Sequence, residues 1–304
     1  MRLSKGVEEF KARCRIPAIA APMFLVSGPD LVVEACNAGI CGTFPALNQR
    51  TSGGFEDWLK AIQDRLDADA APYGVNLIVH KSNPRVQADL ELCVKHEVPL
   101  IITSLGAVSD LVDAVHSYGG LVFHDVIQQR HAEKAAQAGV DGIIAVAAGA
   151  GGHAGTLSPF ALVNEVRQVF DGAIILSGSM SNGGQILAAE AMGADFGYLG
   201  SHFITATESM APQEQKDMMF GLKARDITYT DKVSGVFANF MTPSLESASV
   251  EHKGEMSMND EARAWKTVWS AGHGVGSSRE MLPARQICET LIAEYEETKA
   301  RICG

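Results

Sequence analysis

A glycine-rich segment with a single histidine is the first candidate for chemistry in this sequence. Residues 145–155 read AVAAGAGGHAG, which places the imidazole of His153 directly after Gly151 and Gly152. Glycines let the backbone approach a ligand closely and leave its N–H groups unobstructed. Because imidazole exchanges a proton near neutral pH, His153 is a candidate general base. The alternative is a loop with a surface histidine, and the density of glycine around His153 favours the functional interpretation.

Two further segments combine serine with glycine at points where a strand is predicted to end. They are Ser177-Gly178-Ser179 and Gly200-Ser201. Short turns of this kind present backbone N–H groups, together with a helix N-terminus, to a single anion. The two segments together predict a phosphate site, although the glycines would also suit tight turns that bind nothing.

The other residues expected at the same end of the strands are mostly apolar or neutral. Ala21, Pro22 and Met23 end the first predicted strand, Phe44 lies in the second and Asn76 in the third. An amide can donate and accept hydrogen bonds, and an apolar lining suits a flat aromatic ring. The sequence thus predicts a phosphate site and a general base but contains no set of metal ligands. FMN therefore fits better than a phosphosugar, which would require several charged groups.

Two residues, His124 and Asp125, end the fifth predicted strand, and we expect both to face the same site, as does His202. A contact with substrate or cofactor and ordinary packing are both open for these three residues. The turn at 269–274 (WSAGHG) would either close the site or only connect two helices. The remaining histidines are expected on solvated helical surfaces, namely His80, His96, His116, His131 and His252.

Strands and helices must hold these candidate residues in place. Residues 16–204 repeat a short apolar run followed by an amphipathic stretch. The runs predict strands at 18–24, 40–46, 73–79, 100–105, 121–126, 142–147, 173–177 and 196–203. The stretches predict helices at 29–38, 55–68, 84–96, 109–118, 130–138, 159–170 and 182–192. Several helices should be followed by a glycine in the left-handed conformation, as at Gly39, Gly139 and Gly193.

Alternating strands and helices are typical of parallel βαβ units, and eight of them predict a closed (β/α)8 TIM barrel. An open doubly wound sheet is the alternative, disfavoured because no GxGxxG follows the first strand. The alternation stops after residue 203. We expect the barrel to comprise residues 1–207 and 280–304, with a last helix at 282–301. Residues 208–279 are expected to form a helical excursion that serves as a lid or as the surface of a homodimer.

Length and composition narrow the class of protein. The 304 residues suit one barrel of about 250 residues with an appendage. With 25 basic and 36 acidic residues the net charge is −11, which disfavours nucleic acid and anionic membranes as partners. No apolar run predicts a signal peptide or a membrane span. The six cysteines form no CxxC pair, so we expect no metal site and a cytoplasmic location.

An ordered set of motifs from about residue 16 to 300 resembles the nitronate monooxygenases, formerly called 2-nitropropane dioxygenases. The most specific motif is the AGGHAG segment at 150–155. The others are Ala21-Pro22-Met23, Gly74-Val75-Asn76-Leu77, Ser177-Gly178-Ser179, Gly193-Ala194-Asp195, Gly200-Ser201-His202-Phe203 and Trp269-Ser270-Ala271-Gly272.

The resemblance implies an FMN-dependent barrel. In such a barrel the phosphate lies on the loops around Gly178 and Gly200, and the isoalloxazine contacts Asn76 and the backbone of residues 21–23. His153 corresponds to the catalytic base of that family, which removes a proton from the carbon of a nitroalkane. The resulting nitronate is oxidised with O2 to a carbonyl compound and nitrite.

The same superfamily contains NAD(P)H-dependent flavin enoyl-acyl-carrier-protein reductases and NADH:quinone reductases with a similar histidine segment. Val146 and Ala147 stand where many monooxygenases carry Gln-Gly, and Asp125 stands where some relatives carry lysine. A reductase of an enoyl thioester or quinone is therefore the second hypothesis. A flavin-free barrel that binds metabolites or partner proteins is the third.

Overall fold

The computed structural model describes residues 3–80, 82–104, 109–248 and 265–304. Its strands up to residue 199 are β1 (Ala18–Ala20), β2 (Cys41–Pro45), β3 (Gly74–Ile78), β4 (Leu100–Ser104), β5 (Leu121–Val126), β6 (Gly142–Val146), β7 (Gly152–His153), β8 (Ala173–Ser177) and β9 (Phe196–Leu199). All of these except β7 form one closed barrel of eight parallel strands, which β1 closes by pairing with β9. The predicted (β/α)8 barrel is confirmed, and the alternative of an open sheet is wrong.

Side chains alternate between the barrel interior and the surrounding helices. Along β5, Leu121 and Phe123 belong to the cluster inside the barrel, whereas Val122 and Val126 belong to the cluster beneath the helices. The same alternation puts Ile102 and Ile144 inside on the neighbouring strands. Above those apolar layers, the inward-facing residues near the ends of the strands line the open end of the barrel, which we call the mouth.

Helices cover the barrel where the sequence predicts them, with bounds that differ by one to five residues. They are α2 (Pro29–Asn37), α3 (Ser52–Gln63), α4 (Val86–Lys95), α5 (Ser109–His116), α6 (Gln129–Gln137), α7 (Pro159–Arg167), α8 (Gly183–Ala191) and the last helix (Ala284–Cys303). The φ angles of Gly39, Gly139 and Gly193 are +95°, +83° and +100°, which confirms the predicted left-handed glycines.

A first helix, α1 (Lys5–Ala12), was not among the predicted elements. It seals the end of the barrel opposite the mouth, because Phe10 packs edge-on against Phe123 and Phe196 with ring centroids 6.1 and 5.9 Å apart. Its sequence is mostly polar, and only Val7 and Phe10 are buried. Two buried apolar residues in eight give too weak a period for the helix to be recognised from sequence.

The last helix packs tightly on the beginning of α8. A Cβ atom at Gly183 would overlap the carbonyl of Leu291 and the N–H of Tyr295, so this approach requires glycine. The carboxylate of Glu294 accepts a hydrogen bond from the N–H of Gly183 at 2.9 Å. The last helix therefore also occupies the first donor at the N-terminus of α8.

The segment predicted as a helical excursion is not wholly helical. It contains α10 (Gln213–Met219) and α11 (Thr242–Ser247), but also the antiparallel strands β10 (Ile227–Thr230) and β11 (Ala238–Met241). Strand β11 pairs with β7, which places Ala238 opposite His153. The eighth predicted strand ends early, at Leu199, and α9 (Ser201–Ile204) follows it. The 3₁₀ turns are Ala46–Asn48, Ala224–Asp226 and His273–Ser277.

In the described ranges, every helix is too short or too polar to cross a lipid bilayer. His252, predicted to be solvated, lies outside the described residues.

Candidate active site

His153 is held above the mouth by a short piece of β-sheet. Its strand β7 pairs antiparallel with β11, where Asn239 lies opposite Gly152. The N–H of Gly152 donates to the hydroxyl of Ser270 at 2.6 Å, and that hydroxyl donates in turn to the carbonyl of Asn239. The Asn239 amide donates to the carbonyl of Ala150 at 2.6 Å. Two side chains outside the glycine segment therefore fix the backbone that carries His153.

The imidazole of His153 lies against an aromatic wall. Its ring is perpendicular to that of Trp265, with centroids 5.8 Å apart, and Trp265 packs on Phe240 at 5.1 Å. The charge of a protonated His153 lowers the pKa of Asp125, so the two side chains are electrostatically coupled. A residue of the β7–β11 sheet, His153, therefore acts electrostatically on a residue of barrel strand β5, Asp125.

Polar side chains of three adjacent strands form a hydrogen-bonded row on the inner face of the mouth. The amide of Asn76 donates to the carbonyl of Ile102 at 3.2 Å and to the hydroxyl of Ser104 at 2.9 Å. Ser104 donates to Oδ2 of Asp125 at 2.6 Å. Both hydrogens of the Asn76 amide are thus in use. Toward a ligand, Asn76 can only accept a hydrogen bond, through Oδ1.

One oxygen of the Asp125 carboxyl has no hydrogen-bond partner among the described residues. Oδ1 is shielded from solvent and has no hydrogen-bond partner there, whereas Oδ2 accepts from Ser104. Burial raises the pKa of Asp125 to about 6, against the opposing effects of the Ser104 hydrogen bond and the His153 charge. The carboxyl therefore changes its charge close to neutral pH.

The prediction that His124 faces the mouth is wrong. Since Asp125 points inward on β5, the alternation of a strand turns His124 outward to the helices. There its Nδ1 lies 2.8 Å from the hydroxyl of Thr103. Burial lowers the pKa of His124 to about 4, so the ring is neutral at physiological pH. His124 belongs to the packing of the barrel wall.

The loop after β8 lies against the loop that follows β6. Gly178 has a φ of +124°, and a Cβ atom there would be 3.0 Å from the carbonyl of Ala148. The hydroxyl of Ser179 donates to that same carbonyl at 3.2 Å. A side chain at Gly149 would overlap the Ser179 hydroxyl. These loops need glycine because their backbones are in contact.

The turn after residue 268 joins the same group of loops. The N–H of Gly272 donates to the hydroxyl of Ser201 at 2.7 Å, and the N–H of His273 donates to the carbonyl of Gly149 at 2.9 Å. A Cβ atom at Gly151 would come within 2.9 Å of the Gly272 nitrogen. The segments around Gly151, Gly178 and Gly200, predicted separately from sequence, therefore lie side by side.

The segment Ala21–Pro22–Met23 forms the adjacent edge of the mouth. Ala21 donates its N–H to the carbonyl of Leu199 at 2.8 Å. The Met23 sulfur would be 3.5 Å from a Cβ atom at Gly200, so this segment borders the loop after β9. The side chain of Asn48 holds the segment by donating to the carbonyl of Met23 at 3.1 Å.

Sequence reasoning missed four residues that position this site, namely Asn48, Ser104, Asn239 and Ser270. Ser270 lies inside a motif noted above, and Ser104 lies next to the end of a predicted strand, so the sequence offered a signal for both. Asn48 and Asn239 had none. Each acts on a segment that is distant in sequence, and neither has a local pattern around it.

The site matches the requirements of a flavin in two respects. The Oδ1 atom of Asn76 remains as an acceptor, and the ring system of a flavin carries one imide N–H donor between two carbonyls. The loop at Gly200 adjoins the apolar edge formed by residues 21–23, so a phosphate and a flat ring would have neighbouring places.

A family model described as nitronate monooxygenase matches residues 82–294. The chain is 25% identical over 346 residues to a nitronate monooxygenase from Paraburkholderia phytofirmans, with 93% of each chain covered. It is 26% identical over 240 residues to the (3aS,4S,5R,7aS)-5-hydroxy-7a-methyl-1-oxo-octahydro-1H-indene-4-carboxyl-CoA dehydrogenase of Rhodococcus jostii, covering 79% of this chain but 66% of that relative. The solved structure of FabK from Thermotoga maritima has a TM-score of 0.83 at 22% identity, covering 100% of this chain and 99% of its own.

Proposed function

Because the chain belongs to the nitronate monooxygenase family, we propose that it oxidises alkyl nitronates with O2, using FMN, to a carbonyl compound and nitrite. The family consists of flavin-dependent oxidoreductases, and the chain is an oxidoreductase. The observation that carries the proposal is the placement of His153. The β7–β11 pairing fixes this imidazole at the mouth, where it is coupled to an inward-facing carboxyl.

The proposed cofactor site uses the residues that meet at the mouth. We assign the phosphate of FMN to Ser177, Gly178, Ser179, Gly200 and Ser201. The ring would contact Ala21, Pro22, Met23 and Asn76, with backbone of Gly151 and Gly152 beside it. When bound, FMN would supply the electron acceptor for the substrate and the means of passing electrons to O2.

His153 acts in the proposed reaction as the general base. A neutral nitroalkane must lose a proton from carbon before it can be oxidised, and the imidazole would accept that proton. A preformed nitronate has already lost it. His153 is therefore needed for one form of the substrate and dispensable for the other.

The first experiment is an absorbance spectrum of the purified protein, followed by anaerobic addition of a nitronate. We expect flavin bands that bleach on addition. The variant His153→Asn should lose activity on neutral nitroalkanes by about 100-fold or more, the usual range for general-base catalysis, and much less on nitronates. His116→Asn, the same change on an exposed residue, is the matched control. Equal losses on both substrates would contradict the role of His153, and absence of flavin would contradict the proposal.

A second candidate function is an NAD(P)H-dependent flavin reductase of an enoyl thioester or quinone. The named CoA dehydrogenase among the relatives favours it, since that relative acts on a CoA thioester by its name. The test is anaerobic addition of NADH and of NADPH in separate cuvettes. Bleaching by either nucleotide would favour the reductase, and flavin that stays oxidised with both would exclude it.

A further inference from the structure

One polar atom at the mouth has no use in the reaction described so far. Oδ1 of Asp125 is shielded from solvent and has no hydrogen-bond partner among the described residues. A buried carboxyl oxygen without a partner is destabilising, so such atoms call for an explanation. A ligand that enters the mouth would supply the missing partner.

The hydrogen-bonded row determines where a proton on Asp125 resides. The amide of Asn76 donates to Ser104, and Ser104 donates to Oδ2 of Asp125. Oδ2 therefore acts as an acceptor, and a proton on the carboxyl lies on Oδ1. In the protonated form Asp125 presents an O–H donor to the mouth, and in the ionised form it presents a negative charge.

Three elements bring polar groups against this carboxyl. They contribute Ser104 from β4, His153 from β7 and Tyr198 from β9. Burial and the charge of Asp125 raise the pKa of Tyr198 well above its ordinary value, so the phenol stays neutral. Among these groups, only His153 can offset a negative Asp125, and burial raises the pKa of that carboxyl to about 6.

We propose that Asp125 is a proton-gated contact for the oxygen atoms of an anionic substrate. Protonated, its Oδ1–H donates a hydrogen bond to an oxygen of the O–N–O group; ionised, it repels that group. This inference rests on the proposed function, because loss of the carbon-bound proton puts the charge of a nitronate on those oxygens. A donor aimed at developing charge stabilises it. The substrate class is a carbon acid whose anion carries its charge on oxygen.

The test is calorimetric titration of the holoenzyme with nitrate between pH 5 and pH 8. Nitrate is a planar anion with the same O–N–O group, and it is not a reductant. We expect its Kd to rise about tenfold for each pH unit above 6. In Asp125→Asn, whose amide imitates the neutral acid, the Kd should stay nearly constant. In Ser104→Ala the rise should begin at higher pH, because the hydrogen bond that favours the ionised form is lost.

Because a charge on His153 acts on Asp125 and would also act on nitrate, the titration is repeated on His153→Gln. Persistence of the rise in this variant supports Asp125 as its source. The inference is overturned if nitrate does not bind at pH 5, or if the rise survives in Asp125→Asn. If the protein binds nitrate as expected but nitronates do not reduce its flavin, this inference stands and the proposed function is refuted.

Discussion

Ser270→Ala is the change that most directly tests how the histidine is positioned. The hydroxyl of Ser270 accepts from the N–H of Gly152 and donates to the carbonyl of Asn239. Alanine removes both hydrogen bonds at once and leaves the paired strands otherwise intact. It therefore loosens the residue immediately before His153 without altering His153 itself.

The expected magnitude follows from those two bonds. A hydrogen bond contributes about 1 kcal/mol net, so the ordered arrangement of Gly152 should lose about 2 kcal/mol. Since 1.4 kcal/mol is a factor of ten, this corresponds to about 30-fold. We expect the amide of Gly152 to exchange with solvent about 30-fold faster. Under the proposed function, the rate on neutral nitroalkanes should fall by up to the same factor, because His153, the proposed base, must be in place for proton removal.

The assay is hydrogen–deuterium exchange followed by mass spectrometry, with kcat measured on the same preparations. Ser270→Thr keeps the hydroxyl and should restore protection. The matched control is Ser247→Ala, because the exposed Ser247 donates only to Pro243 within its own helix. If exchange at Gly152 and kcat of Ser270→Ala both lie within twofold of the native protein, the assigned role of Ser270 is refuted.

Other predictions concern the framework, and chemical denaturation checks each of them. Gly183→Ala should destabilise the fold by several kcal/mol because its Cβ overlaps backbone, whereas Gly184→Ala, which meets only side chains, should change stability by about 1 kcal/mol or less. Phe10→Ala should cost about 3–5 kcal/mol and leave flavin content unchanged, because α1 lies opposite the mouth. The folded-state pKa of His124, about 4, lies below that of unfolded histidine. As pH drops from 6.5 to 4, the native protein should therefore lose about 3 kcal/mol of stability relative to His124→Gln, a difference in which the other titrating groups cancel. A Gly184→Ala variant as unstable as Gly183→Ala, or an unchanged pH profile in His124→Gln, would contradict these assignments.

Much of the barrel could be predicted because its signals are local. Each apolar run, each amphipathic stretch and each left-handed glycine, such as Gly139, is readable within about 30 residues. The direction of side chains on a strand is equally local. Neighbouring residues of a strand point to opposite faces, so His124 and Asp125 cannot both face the mouth. The prediction for His124 was wrong because it ignored this alternation.

The support of the site could not be predicted in the same way. β7 has two residues and pairs with β11 more than 80 residues later, so no alternation of its own marks it as a strand. Asn48 and Asn239 act through a single amide on a distant carbonyl. Such contacts follow from the closed barrel, which brings loops together that the sequence keeps apart.

The pairing of β7 with β11 also has a consequence for the order in which the molecule is built. A chain emerging from the ribosome can form its early βα units as they appear, but the strand that carries His153 has no partner until residue 239 exists. Contacts between residues far apart in sequence form late and slowly. The barrel wall can therefore assemble before His153, the proposed general base, is in place. Catalytic competence should lag behind secondary structure during refolding.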